Sequence, residues 1–573
     1  MVVKSGDGAQ QKTETRHPRF FSLILLAIAL LSLVPRLLLG TSQFVEYDGY
    51  WHVWIAQQDQ WFNFIREYHG DAHPPLYYLL LRATLLLGST QLVYRLISLV
   101  AGTASVYFLG LTALKALRSP VWAALAALAY GLALPSILTS NEVRGYMLSS
   151  FFIQVSFYYF LDLIGDKQPP SLRPRIIFAA MAVLACLAEY TAIFYVGAAM
   201  LFAAAIPVLR RDRALGRALL RETATFILVL ALPVWEYISH LGARSVAYDH
   251  LPDYYFRPDS GESAVAFLWR NLRNELNWFS PWSIPGGSAF YAVFGILLLA
   301  AAATVFLLRK TSAPKNLAAL VSLLSVPVMM AAIMAGGLVR AYPFGGFLRQ
   351  QYILFPFLVV CPFLLLDRLA GDAPRLVIRT LAGMAAIIIA LVSVQNYRAW
   401  PKISRLLLTE QMNRYNRMFP AAESIYIDQF NLITFFTHHH DWNWTFVSPL
   451  PGAAGTDVYR VSHTVGRDHR SITLFRDWDH WLLDLREPDL YTLMSRGMRT
   501  YHLSSMTIFC PAQFEGKPRT QAQETAYRAR IAELSAAQGL CVQALELENY
   551  DVYAEFRTGG CTVQQGTVQQ GSR

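Results

Sequence analysis

Long apolar runs alternate with short charged segments along residues 1–395. A run of about 18 or more apolar residues is long enough to cross a bilayer as a helix. This pattern predicts a polytopic α-helical membrane protein with about 11 transmembrane helices. The expected spans are roughly 20–40, 92–114, 120–138, 146–164, 176–190, 192–208, 222–240, 289–308, 316–338, 350–367 and 376–395. The first run contains Pro35 and Arg36 and lacks a small-residue cleavage site, so we interpret it as a retained anchor.

Basic residues recur in every second connection between these runs, which places those connections in the cytoplasm. The best marked of them hold Lys115 and Arg118, Lys167 and Arg173, Arg210 and Arg211, and Arg309 and Lys310. Residues 73–88 determine on which side of the membrane every later connection lies. They are a short segment with two prolines near its start, and they contain Arg82. We interpret them as a juxtamembrane helix on the outer surface. The N-terminus is then cytoplasmic, and everything after residue 395 is extracytoplasmic.

Composition agrees with this architecture. Only 15% of residues are charged and 54% are hydrophobic, whereas soluble domains carry about 25% charged residues. The net charge of +10 does not indicate nucleic acid, because the basic residues lie between apolar runs. Five cysteines are too few for a disulfide framework.

The last part of the chain, 396–573, is expected to form a separate soluble extracytoplasmic domain after the membrane domain of 1–395. Strand-like runs at Ser424–Ile427 and Trp444–Val447 are mixed with amphipathic stretches such as 521–537. This mixture predicts an α/β or α+β domain. It has no glycine-rich nucleotide fingerprint. Three consecutive histidines before Asp441 are a poor zinc site, because neighbouring histidines seldom reach one metal.

In the predicted topology, polar side chains converge at the outer ends of the helices. Charged groups beside apolar surface are costly unless they are paired or functional. Both signs of charge occur there, so we expect a polar cavity that opens outward. Its candidate residues are Asp48, His73, Glu142, Arg144, Glu189, Tyr342 and Arg349.

Such a cavity suits a lipid-phosphate substrate whose tail stays in the bilayer. Arginine pairs with phosphate through charge-assisted and often bidentate bonds. A nearby carboxylate can act as general base toward an acceptor hydroxyl. The reaction that needs these parts is glycosyl transfer from a polyprenyl phosphate.

The motifs also resemble a known family. Asp48-Gly49-Tyr50, His73-Pro74-Pro75-Leu76-Tyr77-Tyr78 and Tyr94-Arg95-Leu96 are similar to the start of GT-C glycosyltransferases of the protein-mannosyltransferase and aminoarabinose-transferase-like group. Glu142–Tyr146 and Tyr342 to Arg349 resemble its later outer-loop motifs. The resemblance covers roughly residues 20–365 and implies that Asp48 is the catalytic base. Relatives usually have Asp-Glu where this chain has Asp48-Gly49, and Glu46 is the alternative second carboxylate.

The resemblance implies an inverting enzyme that takes a polyprenyl-phosphate-linked sugar and passes it to a glycan, lipid or protein in the cell envelope. Arg144, Arg349, His73, Glu142, Glu189 and Tyr342 are the expected substrate-binding residues. No cofactor is required, and a divalent metal is compatible with Asp48, His73 and Glu142. Contacts with membrane lipids are expected, and contacts with nucleic acid are not.

Other interpretations of the same residues remain open. Asp48 could cap a surface helix beginning at Gly49. Glu142 and Arg144 could form an interfacial ion pair, and Arg349 could be a flanking residue that snorkels to the membrane surface. The alternative function is a transporter or a flippase of lipid-linked sugars, although no internal repeat is visible. A weaker alternative is a scaffold that displays the tail domain.

Overall fold

The structure is a computed structural model of the whole chain. It describes the seven strands given below and residues 18–399, except 43–44, 46, 59, 70, 89, 166–171, 211–229, 241–253, 280–313, 346–347 and 371–373. The chain forms two compact units, Met1–Val45 with Ile55–Lys402, and Glu46–Trp54 with Ile403–Arg573. The predicted boundary at residue 395 stays a prediction.

Helices dominate the described part of the first 399 residues. The first ten are α1 (Pro18–Ser42), α2 (Tyr47–Ala56), α3 (Trp61–His69), α4 (Pro75–Thr84), α5 (Gln91–Ala116), α6 (Pro120–Leu132), α7 (Leu134–Thr139), α8 (Gly145–Gly165), α9 (Leu172–Ala188) and α10 (Ala192–Arg210). The others are α11 (230–240), α12 (Ala264–Trp278), α13 (Pro314–Leu338), α14 (Phe355–Ala370) and α15 (Arg375–Ala399). Short 3-10 segments lie at Leu85–Leu87, Pro258–Ser260 and Leu348–Leu354.

Six helices of the described part are long and apolar enough to cross a membrane. They are Arg19–Thr41, Gln91–Ala116, Gly145–Ile164, Asn316–Leu338, Arg349–Arg368 and Leu376–Gln395. The length and composition of these six helices confirm the prediction of a helical protein with several membrane-spanning segments. The remaining expected spans coincide with shorter helices or, like 289–308, lie outside the described residues. The number eleven therefore stays a prediction, and so does the orientation.

The predicted span 120–138 is two helices, α6 and α7, with Ala133 in extended conformation between them. Pro135 has no N–H to donate to the carbonyl of Gly131 one turn earlier. The Arg36 guanidinium supplies that bond, since Nη1 lies 2.7 Å from the Gly131 oxygen. The same guanidinium donates to the hydroxyls of Ser136 at 2.7 Å and Ser140 at 2.9 Å. The proline therefore breaks the expected span at a place where a buried arginine stabilises the break.

Arg36 also explains why the first apolar run carries a charge. The Arg36 side chain is fully buried in the protein. Its helix, α1, is continuous from Pro18 to Ser42 despite Pro35. A buried guanidinium is tolerated when its donors are satisfied. Here its bonds tie α1 to the α6–α7 break, so the residue is part of helix packing rather than a defect in the span.

Residues 73–88, which we predicted to be a surface helix, form α4 and the 3-10 turn Leu85–Leu87. Pro75 is the first helical residue, where a missing N–H costs nothing. The ten residues of α4 extend about 15 Å, half of what a span needs. Their side of the membrane stays a prediction.

Ionic contacts cluster at one end of the helix bundle. Lys115 Nζ lies 2.5 Å from Asp162 Oδ1, which ties the end of α5 to the end of α8. The buried Asp367 carboxylate near the end of α14 accepts from the backbone N–H groups of Arg118 and Ser119, at 2.9 and 3.0 Å. These residues belong to, or adjoin, the connections predicted to be cytoplasmic. The candidate site lies at the opposite ends of α5 and α8.

The second unit contains a mixed sheet of seven strands among its described residues, in the order β2-β3-β4-β1-β5-β7-β6. The strands are β1 (Ser424–Asp428), β2 (Asn443–Pro449), β3 (Thr456–Val465), β4 (Asp468–Asp477), β5 (Thr500–Ser504), β6 (Leu540–Glu546) and β7 (Val552–Thr558). Only β1 pairs in parallel, with β4 and β5. Both predicted strand-like runs lie in this sheet, in β1 and β2. The helical stretch 521–537 lies outside the described residues, so the α/β class stays a prediction.

Candidate functional site

Four connections deliver the predicted site residues to one end of the first unit. His73 precedes α4, and Glu142 and Arg144 lie in the turn before α8. Glu189 follows α9, while Tyr342 and Arg349 flank the segment that leads into α14. The turn before α8 is closed by backbone bonds from Asn141 to Leu138 at 2.8 Å and from Glu142 to Thr139 at 3.4 Å. Each side chain is thus placed by the end of a packed helix.

Close packing of α8 on α9 brings two of these connections together. A Cβ at Gly145 would lie 1.9 Å from the backbone oxygen of Ala188, so only glycine allows this approach. Ser149 Oγ then donates to the Ala185 oxygen at 3.0 Å, one turn further along. The residue after Ala188 is Glu189, and the residue after Gly145 is Tyr146. Helix packing therefore sets their separation.

His73 and Glu189 form the first pair of the site. His73 Nδ1 lies 3.0 Å from Glu189 Oε2, and the glutamate is only 4% exposed. The imidazole also meets the Tyr146 ring edge-on, with centroids 5.8 Å apart. A buried carboxylate that holds an imidazole fixes the orientation of the ring.

The two arginines of the site differ in their surroundings. Arg349, 8% exposed, has Nη1 3.9 Å from Glu142 Oε1, a long ion pair. Arg144 donates from Nη1 to the Tyr146 hydroxyl at 3.1 Å, and its backbone oxygen accepts from Ser98 Oγ at 3.4 Å. Neither contact is a bidentate arginine–carboxylate pair, which is the strongest form of this interaction. The two guanidinium groups bring positive charge to the site, which suits an anionic oxygen.

Tyr342 joins the site through the connection between α9 and α10. Its hydroxyl is hydrogen-bonded to Thr191 Oγ1, and its ring lies edge-on to Phe194 with centroids 4.9 Å apart. Gln351 Nε2 donates to the Pro343 oxygen at 3.0 Å, which fixes the same segment near Arg349.

Tyr146 lies at the centre of this cluster, although the sequence did not single it out. Its phenol interacts electrostatically with Arg144, Glu189, Arg349 and Glu142. Its ring contacts His73, and Tyr342 interacts with the Tyr146 phenol as well. Six of the seven predicted site residues are therefore gathered around one buried tyrosine. The sequence feature that could have identified Tyr146 is its position as the last residue of the Glu142–Tyr146 motif.

Asp48, the seventh, lies in α2. Its side chain is outside the described part of the structure, so its catalytic role stays a prediction. The helix begins at Tyr47, which places Asp48 in its first turn. The capping alternative placed the helix start at Gly49, and it also stays a prediction.

Metal binding remains open. Asp71 and His73 each offer a ligand atom, and these atoms lie within 4.8 Å of one another. Glu142, a predicted metal ligand, is paired with Arg349 instead. A carboxylate and an imidazole are suitable ligands for a divalent ion, with further ligands coming from a substrate.

Comparison with known proteins gives a distant structural similarity only. No protein-family model and no curated protein sequence matches the chain. The structure is similar to crystal structures of ArnT from Cupriavidus metallidurans. The undecaprenyl-phosphate-bound form is 13% identical with a TM-score of 0.49, and the match covers 94% of this chain and 97% of that one. The apo form has the same identity and coverage and a TM-score of 0.41.

Proposed function

We propose that this protein is a GT-C type glycosyltransferase that moves a sugar from a polyprenyl phosphate to an acceptor hydroxyl on the extracytoplasmic side of the membrane. The observation that carries the proposal is the cluster around Tyr146, where two arginines, two glutamates and a histidine meet at the ends of membrane helices. A cluster of both signs suits a substrate that combines an anionic phosphate with a sugar rich in hydroxyls.

The arginines are the phosphate ligands in this proposal. Arg144 donates to the Tyr146 hydroxyl at 3.1 Å, and Arg349 lies 3.9 Å from the Glu142 carboxylate. A donor phosphate can replace these partners by charge-assisted bonds, which are roughly twice as strong as neutral ones. The same bonds stabilise the negative charge that grows on the leaving phosphate.

The carboxylates, the imidazole and Tyr342 bind the sugar. Glu142, Glu189 and His73 offer acceptors and donors to ring hydroxyls. The His73–Glu189 pair and the contact of Glu142 with Arg349 orient these side chains before substrate arrives. Asp48 is the general base. It takes the proton of the acceptor hydroxyl, the acceptor oxygen forms a bond to the anomeric carbon, and the bond from that carbon to the phosphate oxygen breaks. The configuration inverts, and polyprenyl phosphate leaves. A divalent ion at Asp71 and His73 would add further charge near the phosphate.

The base is tested by Asp48→Asn, with Asp59→Asn of the same predicted outer loop as the matched control. Loss of a general base lowers the rate by about 10²- to 10⁴-fold. We expect this loss in kcat for Asp48→Asn and none for Asp59→Asn, measured with a labelled undecaprenyl-phosphate hexose and purified folded protein. Near-normal transfer by folded Asp48→Asn would exclude Asp48 as the base.

A further inference from the structure

Three consecutive residues between α9 and α10 each bind a different part of the first unit. Glu189 pairs with His73 of the first outer loop at 3.0 Å. The Tyr190 hydroxyl donates to Glu236 Oε2 of α11 at 2.6 Å. Thr191 is bonded to Tyr342, far along the chain. We call residues 189–191 the α9–α10 junction. Two of its three side chains hold predicted site residues, and the third holds α11.

The anchor on α11 is a buried network. Tyr68 of α3 donates to the other oxygen of the Glu236 carboxylate, so the carboxylate binds two tyrosines at once. His240 Nδ1, one helical turn from Glu236, lies 2.8 Å from the Tyr190 hydroxyl and 3.3 Å from that of Tyr68. The Tyr68 and His240 rings also pack, with centroids 4.6 Å apart.

Proton counting fixes the direction of these bonds. Burial, and then the bond to Glu236, raises the pKa of Tyr68, so its phenol stays protonated. Each phenol has one proton, and each gives it to Glu236. His240 Nδ1 must therefore carry a hydrogen and donate to a phenol oxygen. Bonds to Glu236 and His240 hold the Tyr190 side chain in one orientation.

We propose that Tyr190 and Glu236 are positioning residues that hold the α9–α10 junction in the geometry needed for sugar transfer. They act through the residues beside Tyr190, because Glu189 orients His73 and Thr191 orients Tyr342. The junction has little freedom on its other side, where Ala188 is in close contact with Gly145. This inference rests on the proposed function, since it assigns a role within the same reaction.

The decisive variant is Tyr190→Phe, which keeps the ring and removes only the hydroxyl. Small displacements of groups that position the substrate cost up to about 10²-fold in rate. We expect kcat to fall by about 10- to 100-fold with KM for labelled undecaprenyl-phosphate hexose unchanged. Glu236→Gln keeps one acceptor oxygen, so its kcat should lie between the kcat of Tyr190→Phe and that of wild type. The matched control is Tyr195→Phe in α10, which removes a buried hydroxyl that donates to Ser156 of α8 at 3.0 Å. It should lower thermal stability similarly without lowering kcat.

A double-mutant cycle separates positioning from general destabilisation. If Tyr190 acts through Glu189, then Tyr190→Phe should have little further effect on kcat in a Glu189→Gln background. Full additivity of the two effects would overturn the part of the proposal that acts through Glu189. Equal kcat values for Tyr190→Phe and Tyr195→Phe would overturn the proposal as a whole. If Tyr190→Phe does not fold, Tyr68→Phe removes the other bond to Glu236 and takes its place in the same cycle. Absence of transfer by wild type would instead contradict the proposed function, so the two failures are distinguishable.

Discussion

At the scale of single residues, the carboxyl group of Glu275 near the site is unusual, because it is buried without a hydrogen-bond partner in the described part of the chain. Glu275 of α12 is fully buried, and within the described part of the chain neither of its side-chain oxygens has a hydrogen-bond partner. Its helix face also carries Asn271, which packs against Gly345 in the segment between Tyr342 and Arg349. Burial raises the pKa of Glu275 well above its ordinary value, which favours the neutral carboxyl in the folded protein.

The sign of the resulting pH dependence follows directly. The unfolded chain ionises Glu275 above about pH 4.3, whereas the folded chain keeps the proton. The contribution of Glu275 to stability is complete below that pH and is lost as the pH rises toward the folded pKa. Glu275→Gln removes this loss, so its melting temperature should exceed that of wild type by roughly 1–3 °C at pH 8 and match it near pH 4.5.

Glu262→Gln is the control, because Arg270 lowers the pKa of Glu262 through two bonds at 3.0 and 3.1 Å. Its effect must have the opposite sign: a small destabilisation at pH 8 that disappears as the pH falls. The test compares the melting temperatures of the two detergent-solubilised variants with that of wild type across pH. A Glu275→Gln difference that is the same at every pH would contradict the neutral carboxyl.

Residue types and their order in the sequence could identify six members of the site, but not their partners. Charges at predicted helix ends pointed to Glu142, Arg144, Glu189 and Arg349, because charges there are costly without a purpose. The central position of Tyr146 could not be predicted, since a tyrosine at a helix end is ordinary in a membrane protein. The pairing of Glu189 with His73 depends on contacts between residues 116 positions apart.

At the scale of elements, the contact between α8 and α9 is the most sensitive feature. Gly145→Ala would place a methyl group 1.9 Å from the Ala188 oxygen, and a backbone atom cannot move without its helix. We expect a large fall in melting temperature and in transfer, because Glu189 and Tyr146 separate. Gly197→Ala in α10 is the control, since no atom lies within 4 Å of the new methyl group. Helix propensity makes that substitution neutral or stabilising by up to about 1 kcal/mol. A Gly145→Ala protein as stable and active as wild type would contradict this geometry.

Elements were predictable where length and hydropathy decide them. Spans 92–114, 146–164 and 376–395 coincide with α5, α8 and α15 within a few residues. The break between α6 and α7 was missed because Pro135 alone is ambiguous: prolines occur inside α1, α10, α13 and α14 without interrupting them. What makes the break stable is the distant Arg36, which a local pattern cannot contain.

At the scale of the whole molecule, two groups of polar residues lie at opposite ends of the helices. Lys115, Asp162 and Asp367 are at one end, and the cluster around Tyr146 is at the other. The basic-loop rule assigns the first end to the cytoplasm. The site would then face outward. On that side a lipid-linked sugar can serve as the donor, so no nucleotide-linked sugar is needed. A flippase would need the same lipid but no acceptor, so the product distinguishes the two functions.

The most direct measurement follows the label of an undecaprenyl-phosphate hexose in proteoliposomes that contain the purified protein and candidate acceptors extracted from membranes. Wild type should move the sugar to an acceptor and release undecaprenyl phosphate in equal amount, and Asp48→Asn should not. Label that stays on undecaprenyl phosphate and only changes leaflet would contradict glycosyl transfer and indicate a flippase.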